Sequence, residues 1–194
     1  QWTRREMIYI VSGYARSGTS MMMQALVAGG LEAAYNPARD TGGWLVGEPG
    51  YNTAPGGLYE IDPGECWELG FPLQYEGKLI KVFWDGLPRL EPARYRVVFM
   101  RRTPAEIDLS FRRAFGRPAK AYDMHHYEAL MGTAISLLRN RRDTVVQVFD
   151  YASVVRDPAL AFRRLIGSGW PINTAAAANA VRPELYRNRA NGNV

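Results

Sequence analysis

The clearest chemical signal in the chain is the segment GYARSGTS at positions 13–20, which follows a short apolar run. Its two glycines have the spacing of a phosphate-binding loop, in which backbone N–H groups and a helix N-terminus converge on an anion. A nucleotide triphosphatase would have lysine where this chain has Thr19, and the positive charge of the loop comes instead from Arg16. We therefore predict a loop that binds a phosphate but is not built to neutralise a β,γ-polyphosphate with Mg²⁺. The alternative is a glycine-rich turn with a purely structural role.

A second anion site is predicted from Arg102 and Ser110, eight positions apart. Arg102 ends the apolar run 95–102, and the sequence TPAE that follows has the threonine cap, the proline and the glutamate of a helix start. Ser110 then lies two turns into that helix, so both side chains can reach one anion. Arg101 competes for this role, but alternation along the strand directs it to the opposite face. The alternative is a core-facing Ser110 beside a solvated arginine pair.

Both motifs resemble those of the sulfotransferases that use 3′-phosphoadenosine 5′-phosphosulfate (PAPS) as donor. The segment RSGTS is similar to the family's Lys/Arg-Ser-Gly-Thr-Ser/Thr loop, and Arg102 with Ser110 is similar to the pair that holds the donor's 3′-phosphate. The chain length resembles that of the compact bacterial-type members. The resemblance implies 3′-phosphoadenosine 5′-phosphate (PAP) as product, while the charge pattern of the loop predicts donor binding without a metal ion. The residues that it assigns to the 5′-phosphosulfate are Arg16, Ser17, Gly18, Thr19 and Ser20.

Three further residues are assigned to the donor by the same resemblance. Tyr151 stands seven positions before Pro158, as does a family aromatic residue that lies near adenine. A core tyrosine is the alternative at this position. Arg187 and Arg189 resemble the late basic segment that closes over the 3′-phosphate, although their local pattern differs from the usual Arg-Lys-Gly.

Sulfuryl transfer, which the resemblance implies, needs charge stabilisation on the leaving phosphate and a base for the acceptor's proton. Arg16 and the loop amides would stabilise that charge. Animal cytosolic members have histidine two residues after a strand-end lysine, but here Lys81 is followed by Val-Phe. Glu60, which ends the segment PGGLYE, resembles the Gly-x-Tyr/Phe-Glu segment of compact bacterial members and is the predicted base. His125 and His126 are the alternative base, and Lys81 either bridges the phosphate and the sulfuryl group or is a snorkelling strand-end lysine.

The elements that must position these residues alternate between strands and helices. Short apolar runs predict strands buried on both faces, as in a parallel sheet covered by helices, at 7–12, 79–84, 95–100 and 145–151. Helices are predicted at 19–29, from 104 onward, at 122–139 and at 159–166. The prediction is a three-layer α/β domain of P-loop-like fold, with a central parallel β-sheet flanked by helices.

A single domain, 1–194, is expected because 194 residues suit one hydrophobic core. The segment 35–71 is rich in glycine and proline and is predicted to be an irregular lid or acceptor loop. Its aromatic residues hint at an apolar or sugar-like pocket, although loop aromatics more often simply pack: Tyr35, Trp44, Tyr51, Tyr59 and Trp67. The segment 174–194 is predicted to be a C-terminal surface helix followed by a basic tail.

The amino-acid composition limits the kinds of ligand and partner that we expect for this protein. Lysine and arginine number 24 against 19 acidic residues, and all but three of the basic residues are arginines, which bind phosphate or sulfate bidentately. A GC-rich codon bias would give the same excess of arginine. Nucleic acid is not expected as a partner, because the basic residues occur as separated pairs without interleaved aromatics. The chain has no apolar run of membrane-spanning length and a single cysteine, so we expect a cytoplasmic protein without a membrane span and leave its oligomeric state open.

The expected function is therefore transfer of a sulfuryl group from PAPS to a hydroxyl or amine of a small-molecule or glycan acceptor. One alternative is a P-loop kinase of small molecules or nucleotides, which the missing lysine at position 19 disfavours. The other is a catalytically inactive nucleotide-binding module.

Overall fold

A sheet of four parallel strands forms the centre of the computed structural model, which describes residues 6–40, 47–49, 51–52 and 54–189. The strands lie in the order β2-β1-β3-β4. Their bounds are Met7–Gly13 for β1, Leu79–Lys81 for β2, Arg94–Arg101 for β3 and Thr144–Asp150 for β4. Every residue of β1 and β2 is buried, which explains why these strands appear in the sequence as continuous apolar runs rather than as alternating ones.

Helices cover both faces of this sheet, so the predicted three-layer α/β fold is confirmed. One face packs against α1 (Thr19–Ala28), α5 (Tyr151–Arg156), α6 (Pro158–Gly167) and α7 (Thr174–Asn179), around a core that includes Tyr9, Leu26 and Phe162. The opposite face packs against α2 (Pro104–Phe115) and α4 (Tyr127–Asn140), around Ile10, Phe99 and Met131. The short helix α3 (Ala121–His125) precedes α4. Among the described residues, no helix has both the length and the apolar character needed to cross a membrane.

Several predicted boundaries were wrong. The helix predicted at 122–139 is interrupted at His126, where φ is −103° and ψ is 14°. This break lets Asp123 accept a hydrogen bond from the Tyr14 hydroxyl at 2.7 Å while Tyr127 enters the core. The strand predicted at 79–84 ends at Lys81, because the chain then turns into the short 3₁₀ helix Trp84–Arg89. The residue Tyr151 begins α5 instead of ending β4.

The predicted loop 35–71 and the predicted C-terminal segment 174–194 differ in their structure. The described part of 35–71 contains turns and short 3₁₀ helices, and Trp44 lies outside the described residues. The C-terminal helix α7 begins at the predicted Thr174, yet Ala177 is fully buried and the helix packs against α1 and α6. Ala175 and Asn179 are exposed, so α7 is a surface helix that buries one side against the core.

The sheet order gathers the predicted site at one edge. Strand β1 pairs with β2 on one side and with β3 on the other. The chain therefore adds β2 on one side of β1 and then adds β3 and β4 on the other side, so the strand order reverses at β1. Ligands of open α/β sheets bind in the crevice that such a reversal creates at the carboxyl ends of the strands. The register pairs Gly13 with Met100, so β1 and β3 end at the same level. The loop 13–20 and Arg102 therefore leave the sheet side by side.

Candidate functional site

The backbone of the loop 13–20 has positive φ angles and close contacts that require glycine at positions 13 and 18. Gly18 has a φ of 99°, and a β-carbon there would lie 2.3 Å from the ring of Tyr151. A β-carbon on Gly13, at a φ of 142°, would lie 2.4 Å from the carbonyl oxygen of Met100. Arg16 also has a positive φ, 69°, which is uncommon for a residue with a side chain. The loop therefore contains three residues with positive φ, and its two glycines let the backbone pack closely against β3 and Tyr151.

The loop leads into a helix that has no acidic residue in its own first turn. Gly18 is the N-cap of this helix, α1, and has no side chain. The N–H groups of a first helical turn have no partner within the helix, and they favour an anion. Ser17 is fully buried, and its hydroxyl has no hydrogen-bond partner among the described residues. The N–H groups of the first turn fit a phosphate-type ligand at the loop, whereas the Ser17 hydroxyl is enclosed by protein.

The two predicted anion motifs meet through Arg16. Its Nε donates a hydrogen bond to the Ser110 hydroxyl at 3.0 Å, and Arg102 Nη1 donates to the carbonyl oxygen of Arg16 at 3.3 Å. Burial lowers the pKa of the Arg16 guanidinium, and the positive charge of Arg102 lowers it further, whereas Tyr51 raises it. An anion bound beside Arg16 and Arg102 would offset the repulsion between their positive charges.

Arg102 is fixed more firmly than its sequence position suggests. It lies one residue beyond β3 and not at its end, and its Nε donates to Glu106 Oε2 at 3.0 Å. Its Nη2 donates to the carbonyl oxygen of Asn188 at 2.8 Å, and its guanidinium stacks 4.5 Å from the centre of the Tyr151 ring. Arg101 points to the opposite face of the sheet, as predicted, where it pairs with Glu128 on α4. Arg102 is thus preorganised before any ligand arrives.

These residues form the wall of one cavity, which we name the donor cavity after the ligand predicted from the sequence. Of the residues predicted from the sequence, the wall contains Arg16, Gly18, Thr19, Ser20, Glu60, Arg102, Ser110, Tyr151 and Arg187. Sequence reasoning missed several others, chiefly Gln24, Tyr51, Phe115, Arg182 and Asn188. Four arginines face a single carboxylate in this wall, so its electrostatic potential favours an anionic ligand.

Tyr51 is the most informative of the missed residues. Its ring lies 4.4 Å from the guanidinium carbons of both Arg113 and Arg187, and Asn188 Nδ2 donates to its hydroxyl at 2.8 Å. Burial alone would raise the pKa of Tyr51, but the hydrogen bond from Asn188 and the positive charges around the ring bring that pKa below its ordinary value. The sequence signalled only an aromatic residue in an irregular loop, since the residues around it are up to 137 positions away.

Glu60 lines the donor cavity, whereas Lys81 contacts Ser20 of that wall without lining the cavity itself. Asp40 Oδ1 accepts hydrogen bonds from the N–H groups of Leu58 and Tyr59, both at 2.9 Å, and this fixes the backbone that leads to Glu60. The carboxylate of Glu60 accepts a hydrogen bond from Arg39 Nη2 at 3.0 Å. Glu60 is therefore held in place by an ion pair.

Lys81, the last residue of β2, is completely surrounded by protein. Its Nζ donates to the hydroxyl of Ser20 at 3.0 Å and to the carbonyl oxygen of Leu58. Burial lowers the pKa of Lys81 to about 8, and the negative charge of Glu60 acts in the opposite direction. The ammonium group is thus directed at the phosphate-binding loop and does not snorkel into water.

Five residues predicted from the sequence lie outside the wall of the donor cavity: Ser17, Lys81, His125, His126 and Arg189. Ser17 is fully buried, and Lys81 reaches the wall only through its hydrogen bond to Ser20. His125 and His126 are exposed at the end of α3 and pack edge to face with each other. Arg189 is exposed, with its guanidinium carbon 4.8 Å from the centre of the Tyr186 ring. Of the two arginines predicted in the C-terminal segment, only Arg187 contributes to the wall.

The arrangement can bind a polyanion, place a lysine ammonium beside it and hold a carboxylate at its end. Within the described ranges, no group of three or more histidine, cysteine, aspartate or glutamate side chains could hold a metal ion. A scan against protein-family models gave no match for the chain, and a search of curated proteins gave no significant match.

Proposed function

We propose that this protein is a sulfotransferase that moves a sulfuryl group from PAPS to an acceptor hydroxyl or amine. The observation that carries the proposal is the hydrogen bond from Arg16 to Ser110 beside Arg102, within one cavity whose wall is rich in arginine. PAPS has a phosphosulfate at the 5′ position and a phosphate at the 3′ position, so it needs two neighbouring anion sites. Position 19 has threonine and not the lysine of a nucleotide triphosphatase, which disfavours the kinase alternative.

Each part of the donor has a group that suits it. The loop amides, Arg16 and Lys81 would hold the 5′-phosphosulfate, and Arg102 with Ser110 would hold the 3′-phosphate. Charge-assisted hydrogen bonds from guanidinium groups are the strongest polar contacts available to such anions. Tyr151 lines the cavity although it is only 6% exposed, and its ring would contact adenine there. PAP would remain in these same sites after the transfer.

Catalysis would then depend on positioning and on charge stabilisation, as in phosphoryl transfer. The acceptor oxygen or nitrogen forms a bond to sulfur while the bond between sulfur and the 5′-phosphate oxygen breaks, and the electron pair of the broken bond stays on the phosphate. Arg16 and Lys81 would stabilise the charge that develops on that oxygen. Glu60 would take the proton of the acceptor, since its carboxylate is fixed by Arg39 at the end of the donor cavity.

The test is a comparison of ligands by thermal shift, followed by a transfer assay. PAP should raise the melting temperature more than 5′-AMP or ATP–Mg²⁺ does, and EDTA should leave the affinity for PAP within about tenfold. Labelled PAPS should then transfer its sulfur to members of an acceptor panel.

Two variants complete this test. Ser110→Ala should weaken PAP binding more than 5′-AMP binding, while Ser136→Ala, an exposed serine on α4, should change neither. Stabilisation by ATP–Mg²⁺ but not by PAP would favour the kinase. Binding of PAP without transfer to any acceptor would favour the inactive binding module.

A further inference from the structure

We infer that a second cavity, which adjoins the donor cavity, is the acceptor site and that it takes an uncharged, polyhydroxylated acceptor such as a sugar ring. This assignment rests on the proposed function. Glu60 and Phe83 line both cavities. Lys81 lines the second cavity, and its Nζ donates to the hydroxyl of Ser20, which lines the first. The predicted base and the buried lysine therefore lie where the two cavities meet.

The charges of the two walls differ in a way that separates their ligands. The donor cavity has four arginines and one carboxylate. The wall of the acceptor cavity contains three cationic and three anionic side chains: Arg39, Lys81 and Arg89 with Glu60, Asp62 and Asp85. A wall with equal numbers of both charges has no net charge, so it does not favour an anionic over a cationic acceptor. An uncharged acceptor is the class that suits it.

The acceptor cavity also has an aromatic platform. Trp67 is 70% exposed, and one face of its ring is covered by the guanidinium of Arg89 at 3.2 Å from the ring centre. A rigid indole that is apolar on its face and wet at its edge can stack on the C–H face of a sugar ring. Carboxylates beside it can accept hydrogen bonds from neighbouring hydroxyl groups, because each has two acceptor oxygens.

This combination disfavours a flat apolar acceptor. A phenol or a sterol in this cavity would take water away from several ionic side chains without offering them hydrogen bonds, which is costly. A ring with several hydroxyl groups replaces that water. One of its hydroxyls, at Glu60, would form the bond to sulfur as the bond from sulfur to the 5′-phosphate oxygen breaks, and its proton would pass to the Glu60 carboxylate.

The experiment compares acceptors that differ in charge or in their number of hydroxyl groups. The uncharged polyhydroxylated probes are the methyl glycosides of glucose, galactose and mannose, the charged probes are glucosamine and glucuronate, and the uncharged apolar probe is 2-naphthol. Binding is measured by saturation-transfer NMR with and without PAP, and transfer is measured from labelled PAPS. Trp67→Ala is compared with Leu69→Ala, because Leu69 is 99% exposed and lines neither cavity.

We expect at least one methyl glycoside to bind and to accept sulfate with a kcat/KM about tenfold or more above the charged probes and 2-naphthol. Trp67→Ala should raise the KM for that glycoside by about tenfold and leave the Kd for PAP unchanged, and Leu69→Ala should change neither value.

Transfer that prefers a charged probe or 2-naphthol overturns the inference, as does a Trp67→Ala variant with wild-type KM. Both results leave the proposed function intact if PAP still binds. Absence of PAP binding and of all transfer refutes the proposed function instead. If PAP does not bind but a methyl glycoside binds in a manner that depends on Trp67, the second cavity is still supported as a sugar site. If no glycoside binds either, the assignment of a sugar site is also refuted.

Discussion

Replacing Arg102 by methionine separates its role in the fold from its role in binding the 3′-phosphate. Its ion pair with Glu106 is buried, since the two side chains are 7% and 8% exposed and Nε lies 3.0 Å from Oε2. In Arg102→Met, the carboxylate of Glu106 stays buried without its guanidinium partner, although the Tyr186 hydroxyl still donates to Oε1 at 2.7 Å. The double variant Arg102→Met/Glu106→Gln removes both charges and keeps an acceptor for Tyr186.

The expected effect on stability follows from this burial. Breaking one side of a buried ion pair costs about 3–5 kcal/mol, whereas replacing both partners is often close to neutral. For a chain of 194 residues, about 2–4 °C of melting temperature corresponds to each kcal/mol. We therefore expect Arg102→Met to melt about 6–20 °C below wild type and the double variant to recover most of that loss.

The expected effect on binding is different, because it persists in the double variant. A hydrogen bond to a charged group contributes about 1.5–3 kcal/mol. The affinity for PAP should thus fall by about 10- to 150-fold in the double variant, and the affinity for 5′-AMP, which lacks the 3′-phosphate, should change little.

Calorimetric titration of the folded double variant with PAP and with 5′-AMP measures this selectivity. Ser110→Ala should lose less affinity with the same preference, since it removes one neutral hydroxyl. A double variant that keeps the wild-type ratio of the two affinities would refute the assignment of Arg102 to the 3′-phosphate. A single variant as stable as wild type would contradict the structural role of the ion pair.

Three further variants test the loop, the base and the buried lysine. Glu60→Gln should lower kcat by about 10²–10⁴-fold at unchanged PAP affinity, and retention of more than about a tenth of kcat, when chemistry limits the rate, would exclude Glu60 as the base. Burial lowers the pKa of Lys81 to about 8 against its usual 10.5, so from about pH 8 to 10 the unfolded chain binds a proton that the folded chain has released. The free energy of unfolding of wild type, relative to Lys81→Met, should therefore rise with pH in urea titrations over this window, by at most about 1.4 kcal/mol per pH unit, and a flat difference would contradict the lowered pKa. Gly18→Ala should lower the melting temperature more than Gly30→Ala does. Both glycines have φ near 100°, but only a β-carbon at position 18 would clash with a neighbour, the Tyr151 ring. Equal losses of melting temperature would mean that the ring moves aside freely.

The local parts of this protein could be predicted from the sequence because their signals are contiguous. Backbone conformation and helix starts depend on residues next to each other, so the glycines of the loop 13–20 and the proline after Arg102 locate a strand–turn–helix unit directly. Continuous apolar runs located β1 and β2 for the same reason, since a strand buried on both faces needs no polar alternation. The predicted burial on both faces was wrong for the edge strand β4, in which only Phe149 is buried. The loop 13–20 and the pair Arg102 and Ser110 line one cavity, because the parallel strands that precede them end at the same edge of the sheet.

The remaining parts of the site depend on packing between distant segments, which local patterns do not report. Tyr51 and Asn188 meet across 137 positions, and neither lies in a helix or a strand of regular period. No glycine or proline lies next to the break at His126, so the periodic run 122–139 gave no warning of it. The lowered pKa of Lys81 likewise required the tertiary structure, because its cause is complete burial, and burial is a property of what the rest of the chain places around a residue.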